Sequence, residues 1–250
     1  MDIEKYMIFD DPVPYKSLNI YPCVMREYKD LQIYSSCLLL DKNSIPDVDI
    51  ISMTYLDYLI HLNKQEAPFL MLFAKLLELV LHIPEKEEGE EYFVKFLTKS
   101  GKSVFVIDEV EYTSNDFDEI KQIIAKQNDI ELIDDSIDKE IRDKMRKSDE
   151  LRAKTNSFKI CNLEDQCVCI SIATGIPLNH IYDLTIRKFK KMLSRVDTLI
   201  HYKIYQTAVM SGMVKTKSKI QHWMRDLESD KNTNLVDFDT IKQKMAGQPT

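Results

Sequence analysis

The sequence is short of glycine. Its 250 residues hold five, at positions 89, 101, 175, 212 and 247, and no two lie within ten residues of each other. A Rossmann turn or a P-loop needs clustered glycines so that backbone can approach phosphate, so the commonest nucleotide-binding folds are excluded. Cysteine is also sparse. Cys23, Cys37, Cys161, Cys167 and Cys169 are odd in number and form no C-x-x-C pair. They are expected to be reduced, mostly core residues of a cytosolic protein. Long apolar runs are missing. The most apolar stretch, Phe69 to Ile83, is interrupted by Lys75 and Glu78 and is too short to span a bilayer. The opening MDIEKYMIFDD is acidic, without the cationic and apolar regions of a secretory leader. A soluble chain is expected.

Catalytic patterns are wanting too. None of the five histidines (61, 82, 180, 201 and 222) stands in H-x-x-x-H, H-E-x-x-H or H-x-H spacing, so no metal site is expected. In a helix Cys167 and Cys169 point to different faces and would not share an ion. G-x-S-x-G does not occur. The acid pairs Asp108-Glu109 and Asp134-Asp135 have too few companions for a two-metal centre. The expectation is a protein that is not an enzyme, with no catalytic residues, cofactor or metal.

What is present is globular: 44% hydrophobic and 30% charged. The net charge of −7 argues against a general nucleic-acid coat. The charge is segregated, however. Asp108 to Glu150 carries 15 acidic and 7 basic residues, whereas Arg187 to Arg225 carries 10 basic and 1 acidic. The two regions either face each other, within or between subunits, or form ordinary solvated helical faces.

Periodicity predicts an α+β protein, mainly helical, with a small antiparallel β-hairpin or sheet and a C-terminal helical module. Residues 1–16 read as irregular because Pro12 and Pro14 break any element. A short strand at 18–21 and a helix over 25–40 follow. Two helices are expected within 52–83, the second starting at Pro68. Its apolar residues run nearly all round, which means burial on several sides or a face kept for a partner. Aromatic and β-branched residues at 92–97 and 103–107 flank a glycine-bearing turn, a hairpin signal, and 110–112 adds a short strand. Ser114 or Asn115 is expected to cap a helix over 116–126. Asn162 caps a helix that Gly175 ends. A long helix to Met210 then carries Ile186, Phe189, Leu193, Val196 and Ile200 at three- and four-residue steps. An amphipathic piece at 222–227 closes the ordered part. The expected domains are 1–135 (α+β), 136–160 (charged helix or linker), 161–228 (helical module) and 229–250 (polar tail).

Ile170 to Pro177, Thr185 and Arg187-Lys188 suggest a helix-turn-helix in which Lys188, Lys190, Lys191 and Arg195 would meet phosphate. The second helix is long for a DNA reader, which favours a packing module that is basic outside. Trp223, the single tryptophan, is a partner anchor or a core plug.

Several phrases together resemble tailed-bacteriophage proteins of virion assembly, namely tail-assembly chaperones and baseplate-hub assembly proteins. They are Tyr21-Pro22, Lys42 to Asp47, Asp116 to Lys121 with Gln127-Asn128, Thr174 to Pro177, Ile181 to Thr185, Met210 to Val214, and His222 to Met224. The resemblance implies a non-enzymatic role, in which other tail or baseplate proteins, or a second copy, are the partners. It places the chain in the host cytoplasm during assembly, or in the virion, away from membrane and nucleic acid. The residues expected to meet the partner are Leu70, Phe73, Leu77, Lys188, Lys190, Lys191, Arg195 and Trp223. DNA binding through the basic C-terminal helix is the alternative.

Overall fold

The computed structural model describes residues 3–42, 45, 47–65, 67–84, 93–99, 102–133, 143–144, 147, 161–212 and 221–227. They form an α+β fold that is mainly helical, as the periodicity predicts. Two compact units are distinguished, Met1–Lys191 and Met192–Thr250. The expected linker at 136–160 lies, apart from residues 143, 144 and 147, outside the described residues, and so does the expected tail at 229–250.

The first unit contains two antiparallel sheets, a two-stranded ribbon and a three-stranded sheet. In the ribbon, β1 (Val13–Tyr15) pairs with β2 (Leu18–Ile20). The sheet has the order β3 (Val94–Lys99), β4 (Lys102–Ile107), β5 (Val110–Thr113). Asp108 (φ 45°) and Glu109 (φ 65°) both sit in the left-handed region, the requirement of a two-residue hairpin turn that follows the strand twist. Three helices pack with this sheet or with each other beside it: α4 (Tyr55–Asn63), α5 (Phe69–Val80) and α6 (Ser114–Asn128). Smaller helices precede them: α1 (Glu4–Phe9), α2 (Tyr28–Tyr34) between 3-10 turns at Met25–Glu27 and Ser35–Leu38, and α3 (Val48–Ser52).

Aromatic rings fill the centre. Phe105 of β4 lies 5.2 Å from Tyr112 and 5.8 Å from Phe73, and Phe73 lies 4.6 Å from Phe117 (centroid distances). All four are fully buried. Removing one such ring costs about 3–5 kcal/mol, so this cluster outweighs any single polar contact in the unit.

The irregular reading of residues 1–16 is corrected: α1 and β1 both form there. Pro14 stands inside β1, opposite Asn19, because a two-stranded ribbon has an outer edge on each strand where a missing N–H breaks no ladder bond. The cap of α6 is also shifted by a residue. Thr113 is the cap, and its side chain and backbone close a box with Asp116. Asp116 joins the ribbon to this helix. Its carboxylate accepts from Tyr15 Oη (2.7 Å), Lys16 Nζ (2.6 Å), Thr113 N (2.7 Å) and Thr113 Oγ1 (2.8 Å).

Burial alone would raise the Asp116 carboxyl, but hydrogen bonds from Lys16, Thr113 and Tyr15 outweigh it and bring its pKa down to about 2. The stabilisation is therefore fully present above the ordinary carboxylate range of about 4 and is lost as pH falls towards about 2. Between pH 4 and 2 the urea midpoint of the native chain is expected to fall more steeply than that of Asp116→Asn. Parallel slopes would show that Asp116 does not carry this acid sensitivity.

Candidate interaction surface

The C-terminal helices start from local capping. Asn162 Oδ1 accepts from Asp165 N (2.8 Å) at the head of α7 (Leu163–Thr174), and Gly175 ends it in the left-handed conformation (φ 75°). Pro177 opens the short α8 (Leu178–Tyr182). The Thr185 hydroxyl then accepts from Lys188 N (3.4 Å) in the first turn of α9 (Ile186–Met210).

Residues 183–186 are stitched to residues 23–26 of the first unit. Met25 N donates to Leu184 O (2.9 Å) and Ile186 N donates to Cys23 O (3.0 Å), around an antiparallel bridge between Val24 and Thr185. Arg26 Nε donates to Asp183 Oδ1 (2.7 Å) at the exposed end. Cys23 N in turn donates to Asn128 Oδ1 (2.9 Å) at the end of α6. Burial pushes the thiols of Cys23, Cys37 and Cys167 up, Cys37 to about 12, so these three are inert core groups. Cys161 and Cys169 are exposed, so the set is mostly but not wholly core, as expected.

The basic run at the start of α9 is used inside the unit. Lys188 Nζ meets Asp10 Oδ2 (2.5 Å), and Lys190 Nζ donates to Asp129 O (2.7 Å) with Asp129 Oδ2 at 3.5 Å. Asp10 and Asp129 are the left-handed residues that end α1 and α6 (φ 61° and 52°). A carboxylate at a helix C-terminus is opposed by the negative end of the dipole, and a lysine ammonium there relieves it. Lys191 is exposed and also has an interaction within the chain.

Arg195 and Trp223, far apart in sequence, come together in the second unit. Arg195 Nη1 donates to Trp223 O (3.0 Å) and to Arg225 O (2.6 Å). His222 stands between the rings of Tyr202 and Trp223, at 5.3 and 6.0 Å. Residues 221–227 form a turn and bends, in which Arg195 takes up the carbonyls of Trp223 and Arg225.

Leu70, Phe73 and Leu77 do not join this surface. Phe73 and Leu77 are wholly buried and Leu70 nearly so. The nearly all-round apolarity of α5 is met by burial on several sides, with α2, α4 and the 3-10 turn at Ser35–Leu38 packed around it. What the sequence reading missed is the far end of the stripe on α9. At 100° per residue Ile186, Phe189, Leu193, Val196, Ile200 and Ile204 fall within a sector of about 80°. Ile186 and Phe189 are buried, Leu193 and Val196 half-buried, and Ile200 and Ile204 are 47% and 63% exposed. Ile204 continues the spacing and was legible. Its exposure was not. Among the described residues, no three His, Cys, Asp or Glu side chains gather as a metal-holding group, and no helix is long and apolar enough to cross a membrane.

Because Trp223 is the single tryptophan, its fluorescence reports the Arg195 clamp directly. Arg195→Ala is expected to shift the emission to the red and raise its quenching by iodide. An unchanged spectrum would mean that the clamp does not hold the 222–225 turn.

Comparison with known proteins places part of this region. Residues 153–228, under a third of the chain, match the family model described as the YomV second domain, a phage-derived family. The match takes in α7, α8, α9 and the turn that carries Trp223. Searches of curated proteins and of solved structures found no match.

Proposed function

We propose that the chain is a non-enzymatic phage assembly protein, a tail or baseplate chaperone or virion component, that works by protein–protein contact. The observation that carries this reading is the stripe on α9. Its spacing is that of a helix-packing seam, and its exposure rises from nothing at Ile186 to more than half at Ile204. An isolated surface leucine or isoleucine needs no explanation, whereas a seam that keeps its register after leaving the core is a surface for another helix. The phage-derived family match over the same residues supports a phage setting. The tail or baseplate assignment rests on the sequence phrases that resemble such proteins. The chain would then act in the host cytoplasm during assembly or remain in the particle.

The alternative, DNA binding through the same helix, is less well supported. Lys188 and Lys190 already have carboxylate and carbonyl partners, so offering them to phosphate would uncover Asp10 and Asp129.

Two measurements test the proposal. Ile200→Glu with Ile204→Glu is expected to abolish co-purification with tail or baseplate proteins from infected cells, while the thermal midpoint stays within a few degrees of the native value. Co-purification at the native level would overturn the stripe as the contact. A filter-binding titration with duplex DNA is expected to show no affinity at low salt. Tight binding with a steep salt slope would favour the DNA reading.

A further inference from the structure

Helix α2 packs on α5, and residues of both line a groove of about 370 Å³, at the small end of the roughly 300–1,000 Å³ of ligand sites. It is independent of α9. Three carboxylates line it, Glu27 and Asp30 at the start of α2 and Glu78 on α5, against one lysine, Lys75. The groove is therefore negative. Its far wall is held in place, since the His82 ring stacks on Tyr21 at 4.3 Å and Tyr21 N donates to Val80 O (2.7 Å).

Glu78 is the informative residue. It is only 8% exposed, yet among the described residues no donor or cation meets its carboxylate. Lys75, three residues earlier on α5, places Nζ over the Tyr34 ring instead, 5.8 Å from the centroid. Among the described residues Gln127 Oε1 is the one side-chain nitrogen or oxygen that is both sealed from solvent and unbonded, so the Glu78 oxygens open on the groove. A buried carboxylate without a donor is costly, and a ligand that brings donors to it relieves that cost. Of the other two acids, Glu27 has Oε2 on Val24 N (2.8 Å), and Asp30 is exposed.

The chemistry selects the kind of cation. Among the described residues these acids do not gather as a metal-holding group. Carboxylates spread over two helices suit a flat cation with several N–H groups. A guanidinium carries five, in a fork that meets a carboxylate with two bonds, and it is more weakly hydrated than an ammonium, which eases its entry into a buried site.

We infer that this groove takes up a guanidinium group, with Glu78 as its buried partner and Asp30 at the mouth.

The test titrates the full chain by calorimetry with acetyl-Gly-Arg-Gly-amide, for the arginine of a partner protein, and with agmatine, for a free ligand. The corresponding citrulline tripeptide, close in shape but uncharged, is the control. At least one guanidinium probe is expected to bind tenfold or more tightly than the control, and the probe that does so identifies the source. Glu78→Gln is expected to weaken that binding at least tenfold without lowering the thermal midpoint of the free chain, because an unpaired buried charge is lost. Asp30→Asn, at an exposed position, is expected to weaken it several-fold. Binding of neither probe, equal binding of the citrulline tripeptide, or native affinity in Glu78→Gln would overturn the assignment. So would a clearly lower midpoint in Glu78→Gln, which would reveal a partner for Glu78 inside the chain.

Discussion

The start of the basic helix is held by one short stitch, residues 23–26 against residues 183–186. Two backbone hydrogen bonds of about 1 kcal/mol net each fix its register. Most of its strength comes from burial beside it. Cys23, Met25, Ile181, Ile186 and Phe189 are all in the core, and a large apolar side chain contributes about 1.5–3 kcal/mol when fully buried. The neighbouring ion pair of Arg26 with Asp183 is more than half exposed on both sides and adds little. Apolar burial therefore decides that the segment docks, and the backbone bonds decide where.

Once docked there, the first turns of α9 meet the C-terminal ends of α1 and α6. Both helices end in left-handed aspartates, an unusual choice where glycine or asparagine is the ordinary solution. A lysine on each makes the arrangement consistent, because the ammonium answers both the carboxylate and the carbonyls of the helix end. A cluster that reads in one dimension as a patch for phosphate is thus partly consumed by the fold. The same economy governs Arg195, whose guanidinium holds two carbonyls of the Trp223 turn.

The surface proposed above for a partner is a helix seam whose register continues past its buried start. It is a place where the spacing that built the core goes on beyond the core's boundary, with Ile200 and Ile204 exposed on the line that Ile186 and Phe189 bury.

Local signals were well written in the sequence. The β3–β4 hairpin, the cap at Asn162, the stop at Gly175 and the length of the last helix all rest on short-range chemistry: side-chain oxygens near free N–H groups, a residue without Cβ at positive φ, apolar residues at helical spacing. What needed the tertiary structure was partnership. The sequence offered α5 as either core or contact face, and only the packing of α2 and α4 around it settled that Phe73 and Leu77 are inside. It showed that Lys188 and Lys190 were positive but not that Asp10 and Asp129, more than 170 and 60 residues away, would take them. The physical reason is range. Caps and periodicity act over a few residues, whereas burial and charge pairing depend on which distant segments the collapse of the aromatic core brings side by side.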